Sequence, residues 1–179
     1  MHTLRIVLIL VALGSAVVPA AAQSAPPGFL EEFDGQFDAS ASKLVALAEA
    51  MPEETYAWSP DPGVASVARV YMHVARYNYM YPDQNLGIAA PMGRDEYGRW
   101  EDEVRDKAEA VRILRASMDH VRGVVKGMHP ETLGERTQLY GREVGRWGVL
   151  FQLIAHMNEH LGQSIAYARM NDVVPPWSR

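Results

Sequence analysis

Two imidazoles stand four residues apart in the segment His156-Met157-Asn158-Glu159-His160. On a helix, residues at i and i+4 lie one turn above each other, so both rings project the same way. Two such nitrogens can bind one metal ion. If buried without partners they are costly, and each needs a hydrogen bond or a metal. The H-x-x-x-H spacing alone is equally compatible with two core or edge histidines. His73 adds a third imidazole, in the apolar stripe of a different segment. Helical bundles build metal sites from facing helices in this way. Three neutral imidazoles with an open coordination position suit zinc first, with nickel and iron(II) also compatible.

The same five residues match H-x-x-E-H, the inverted zinc-peptidase signature, in which the Glu is a general base. On that reading Glu159 would act on a metal-bound water. Helical geometry puts Glu159 about 60° from His156 and about 100° from His160 around the axis, from ~100° per residue. It can equally face water or stand behind a ligand. Tyr77, Asn78, Trp147, Gln152 and Gln163 are further candidates for lining a pocket near the metal. Gln163 could instead orient a ligand histidine. His120, beside Asp119, reads as an edge residue, and His129 precedes Pro130 in a loop. Trp58, Trp100, Trp147 and Trp177 read as packing residues. No Ser/His/Asp arrangement or phosphate-cradling glycine loop is present.

The elements that must position these residues are helical. Leu30, Phe33, Phe37, Leu44, Leu47 and Met51 predict a first helix over about 29–51, weakened near Gly35. Pro52 stops it. Pro52 to Gly63 is a loop with turn chemistry, and Asp61 or Ser66 can cap the next helix. That second helix, over about 64–81, carries Val70, His73, Val74 and Tyr77 on one face. Pro82 ends it, and an irregular connection continues to about Arg99. Val104, Ala108, Val111, Leu114, Met118, Val121, Val125 and Met128 define a third helix with a charged opposite face. The last runs from about Gly141 or Glu143 to Met170, with Trp147, Leu150, Ile154, Met157, Leu161 and Ile165 as its stripe. No segment reads as a strand. Four long helices make an all-α four-helix bundle.

Composition narrows the function further. The chain has no cysteine, which removes thiolate nucleophiles, thiolate zinc sites and covalent c-type haem. Any metal must be held by His, Asp, Glu, backbone or water. The N-terminus has the layout of a signal peptide: one basic residue, an apolar run over 6–18, and an A-x-A site ending at Ala22. The apolar run is short for a membrane span, which needs about 20 residues. Cleavage after Ala22 is expected, with an uncleaved anchor as the alternative. That predicts an extracytoplasmic protein, periplasmic or secreted, with no stable membrane anchor after cleavage. Residues 23–28 would be a flexible mature N-terminus and 29–179 a single helical domain. Loss of Arg5 with the leader leaves 16 basic against 22 acidic residues, a net charge of −6. No basic patch appears, which argues against nucleic acid.

Three stretches resemble the DinB-like superfamily of four-helix bundles. They are Pro52-Glu53-Glu54-Thr55-Tyr56-Ala57-Trp58-Ser59-Pro60 with Val64-Ala65-Ser66-Val67 leading to Met72-His73-Val74, then His156 to Gln163, then Tyr167 to Asn171 with Val174-Pro175-Pro176-Trp177-Ser178. The resemblance spans most of residues 23–179. It implies that His73, His156 and His160 bind a divalent metal, and that the chain forms a homodimer by helix packing. Some members of that family resemble thiol-dependent transferases or isomerases. Export weakens that reading, because small thiols are mainly a resource of reducing compartments. Two functions remain as expectations. One is a metal-dependent hydrolase or transferase acting on an unknown small molecule. The other is a non-catalytic metal-containing binding or scaffold protein.

Overall fold

The computed structural model describes residues 24–178. The leader expected over 1–22 lies outside the described residues, as does Gln23. Ala25, within the expected N-terminal stretch, packs against the core. Among the described residues no helix is long and apolar enough to cross a membrane.

Five α-helices are present among these residues: α1 (Phe29–Ala50), α2 (Val67–Asn85), α3 (Arg94–Glu103), α4 (Lys107–Lys126) and α5 (Arg146–Met170). α1, α2, α4 and α5 form the bundle. α1 and α2 each touch both α4 and α5, so the order around the bundle is α1, α5, α2, α4. The core runs through Phe37, Leu44, Leu47, Met72, Leu114, Met118, Leu150 and Met157, all nearly inaccessible to water.

Local chemistry fixes the ends. Ser66 Oγ accepts from the Arg69 backbone N–H and starts α2. Asp106 does the same for Glu109 and starts α4 at 2.8 Å. The Lys107 ammonium donates to the Glu49 and Met51 carbonyls at 2.9 and 2.7 Å, a cation placed at the C-terminus of α1. Gly35 does not interrupt α1.

Three sequence expectations are corrected. α2 continues through Pro82 to Asn85. A proline inside a helix removes one hydrogen bond and crowds the preceding turn. Here Tyr81, Pro82 and Leu86 are buried, and the Pro82 carbonyl accepts from Leu86 and Ile88, so packing outweighs the break. The connection expected up to Arg99 contains α3. Its polar composition hid it, because only Tyr97, Trp100 and Glu101 turn inward. The third correction is a two-stranded antiparallel hairpin, β1 (Arg136–Leu139) and β2 (Arg142–Gly145). Tyr140 and Gly141 join the strands with φ of 51° and 72°. Two left-handed residues match the twist of a tight hairpin, but Tyr-Gly lacks the usual Asn-Gly or Asp-Gly signature. The strands dock on α2 through side chains of Asn85 and Thr137, which bond backbone carbonyls of Gln138 and Asn85.

The periodicity of the long helices holds, with local shifts. Ala108 is exposed although it fits the stripe of α4. In α5 the buried face is Val149, Leu150, Leu153, His156, Met157, Leu161 and Ser164. It is rotated from the Trp147–Ile154–Ile165 line towards the histidines. His156 therefore lies within the buried face.

Candidate metal centre

α2 and α5 pack side by side, and each turns imidazoles into the seam. His73 comes from the middle of α2, His156 and His160 from successive turns of α5. One ring nitrogen from each lies within 4.8 Å of the other two. Ring centroids are 5.0 Å apart for His73–His156, 4.7 Å for His73–His160 and 4.6 Å for His156–His160. His156 is buried, while His73 and His160 are partly exposed. Tyr77 lies against two of the rings, 4.6 Å from His73 and 4.4 Å from His156.

The hydrogen bonds around the triad define which nitrogen His73 and His160 present. His73 Nδ1 lies 3.1 Å from Glu101 Oε1, which also accepts from Arg76 at 2.9 Å. Burial pushes the Glu101 carboxyl up, but hydrogen bonds from His73 and Arg76 more than reverse this and hold it at about 2. An ionised carboxylate can only accept, so His73 carries its proton on Nδ1. That leaves Nε2 as the nitrogen His73 can offer a ligand.

His160 is fixed by a longer chain. The Tyr167 hydroxyl donates to the Ala65 carbonyl at 3.1 Å and accepts from Gln163 Nε2 at 3.0 Å. That orientation turns Gln163 Oε1 towards His160 Nδ1, 2.8 Å away. Because the chain ends on a backbone carbonyl, each donor direction is set, and His160 also carries its proton on Nδ1. Its Nε2 is again the free lone pair. Burial pushes the His160 pKa down.

His156 completes the set differently. Its Nε2 is buried and has no hydrogen-bond partner in the protein. Burial, reinforced by the charges of His160 and His73, drives its pKa to about 3. A neutral imidazole with an orphaned buried nitrogen, facing two rings whose Nε2 atoms are free, is a donor set suited to a divalent cation. Carboxylate and amide partners on the other ring nitrogens are the usual outer support of such ligands.

A cavity of about 330 Å³ opens over His73 and His160, lined also by Gly63, Ala65, Arg69, Val70, Glu101 and Gln163. Of the other residues marked in the sequence, Tyr77 and Gln163 are at the site. Gln152 reaches the Tyr81 hydroxyl, whose ring is 5.9 Å from His156. Asn78 faces α4 and donates to Ser117 and Met118. Trp147 packs edge-on against Phe29. Glu159 is exposed and does not line the cavity. His120 is stacked on Tyr79 at 4.6 Å, and His129 is exposed. Sequence reasoning missed Glu101, Arg76 and Arg69. Glu101 lies on the unforeseen α3, and only its burial among charged neighbours sets it apart.

A helical bundle with an inward-facing histidine triad on two adjacent helices defines the class of protein. The DinB superfamily model matches residues 36–164, and the chain belongs to that superfamily. Its fold is similar to the crystal structure of a DinB-like protein from Bacillus cereus ATCC 10987, with a TM-score of 0.67 at 18% identity, over 83% of this chain and 94% of that one. No curated protein matches the chain.

Proposed function

We propose that His73, His156 and His160 hold a divalent metal ion with an open coordination position, and that the protein is a metal-dependent hydrolase or transferase acting on a small molecule. The carrying observation is the orphaned, buried Nε2 of a neutral His156 beside two rings whose protons are held on the opposite nitrogen. Zinc fits this ligand set first, and nickel or iron(II) also fit. Such an ion supplies Lewis acidity and a more acidic bound water. The protein's own contribution is to keep three imidazole donors oriented and to leave the His73–His160 side open to the cavity.

The second reading is a non-catalytic metal-containing binding or scaffold protein. One observation favours it: the cavity's carboxylate, Glu101, is engaged by His73 and Arg76 and is a weak base at about 2. Glu159→Gln separates the readings at that position. It should retain metal, and a loss of turnover with metal still bound would make Glu159 a base acting from the rim.

The test of the metal itself is elemental analysis of protein purified without a histidine tag, followed by thermal unfolding with and without zinc. A ligand at 100 times its Kd stabilises by about 2.7 kcal/mol. For a domain of this size that is a rise of roughly 5–10 °C in Tm. His73→Ala should abolish most of the rise. Equal zinc affinity in His73→Ala and wild type would sink the two-helix site.

Export and a homodimer complete the proposal. The N-terminal layout supports export, and protein from the cell envelope or medium should begin near Gln23. Helix packing in the family supports a dimer, and light scattering that finds monomer alone at high concentration would remove it.

A further inference from the structure

The cavity over His73 and His160 holds a loosely paired cation that the metal reading does not use. Its lining contains one carboxylate, Glu101, and one guanidinium, Arg69. Glu101 is already matched at one oxygen by Arg76 at 2.9 Å and His73 at 3.1 Å. Arg69 is left in long, loose pairings, 3.8 Å from Glu101 Oε2 and 3.6 Å from Asp102, whose side chain is largely exposed. These separations are beyond hydrogen-bond length, and the pairing with exposed Asp102 is of a kind worth little. The guanidinium can turn to a better partner without breaking a strong contact. Arg69 also precedes His73 by one helical turn, so both side chains rise on the same side of α2. They flank the same carboxylate.

The other walls suit a small ligand. Ala65, Val70 and Gly63 are small or apolar, and the Gln163 amide is committed to His160 and Tyr167. The volume of about 330 Å³ is at the low end of the roughly 300–1,000 Å³ of small-molecule sites. A planar guanidinium recognises carboxylate or phosphate oxygens in pairs.

The geometry points to a small anionic substrate: a molecule with one donor group at the open side of the triad and a carboxylate or phosphate on Arg69. This inference rests on the metal reading and narrows its substrate class. Arg69 is here a specificity-determining residue and holds no part of the metal site.

Cobalt(II) titration tests the metal reading first, because the visible spectrum of the loaded protein reports both occupancy and further ligands. Wild type and Arg69→Gln should take up cobalt with the same affinity. The loaded proteins are then titrated with malonate, acetate and neutral malonamide, following the same spectrum. In wild type, malonate should bind at least tenfold more tightly than acetate, and malonamide should not compete. Arg69→Gln should lose that tenfold advantage, and Arg69→Lys should recover part of it. Arg99→Gln, which removes an exposed arginine paired with Glu103 outside the cavity, should leave it intact. Equal malonate affinity in wild type and Arg69→Gln, or malonamide binding as tightly as malonate, would overturn the anionic-substrate inference while leaving the metal site standing. Failure of wild type to bind cobalt would overturn the metal reading, and this inference with it.

Discussion

The nitrogens that His73 and His160 turn to the proposed metal are set by residues outside the triad. Glu101 orients His73 while the hydrogen bonds of His73 itself and of Arg76 hold its charge in a buried position. Removing such a partner commonly lowers metal affinity by about 10–100-fold. Glu101→Ala should show a loss of that size by chelator competition. Glu101→Gln keeps a carbonyl that can accept from His73 Nδ1 and should lose less. Unchanged affinity in Glu101→Ala would mean that helix packing alone orients His73. The histidines were legible in the sequence because the spacing of His156 and His160 and the place of His73 in an apolar stripe are local properties. Glu101 was not, since it reads as one acid among several in Arg99-Trp100-Glu101-Asp102-Glu103. Its role depends on a packing of α3 on α2 that no local pattern encodes.

Among the elements, the hairpin gives the clearest test of local physics. Gly141 has φ of 72°, and a Cβ added there would meet nothing within 4 Å. The cost of Gly141→Ala is therefore conformational and not steric, about 1 kcal/mol from the left-handed penalty. For a domain of this size, Tm should fall by roughly 2–4 °C. A fall beyond about 10 °C would show that the hairpin contributes to the core well beyond its turn. The long helices were readable because 3.6-residue periodicity over five or more turns leaves little ambiguity. The short elements were not. α3 has ten residues and buries three, and β1 and β2 have four residues each. Such segments acquire their form from the surface they dock on. Pro82 teaches the complementary lesson, for a local helix breaker is overruled when the next turn buries Leu86.

Across the whole molecule, acid should destabilise the metal-free protein through the site. Folded His156 has a pKa of about 3, against about 6.5 for an unperturbed histidine. Between those values the unfolded chain takes up a proton that the folded state refuses. Stability therefore rises with pH across this window and is lost as pH falls below about 6.5. Glu101, held at about 2, acts in the same direction at lower pH. Its contribution is present above the ordinary carboxylate pKa of about 4.3 and is lost as pH falls towards 2. Urea midpoints should drop between pH 7 and pH 4.5, and His156→Leu should flatten that drop. A midpoint constant over this range in wild type would contradict the neutral, buried His156.

The sequence by itself determined an all-helical bundle, its four long helices and the three histidines as a candidate set. All of these rest on periodicity and residue type, which local spacing records. Only the tertiary structure decided that α2 and α5 are neighbours, so that His73 meets His156 and His160. It alone placed Glu101 and the Gln163–Tyr167–Ala65 chain on the outer nitrogens, and left Glu159 in solvent. The reason is physical. Helical periodicity specifies which face of an element is buried, but not which element covers it. A hydrogen bond across 25 or 102 residues exists only once the helices between have packed.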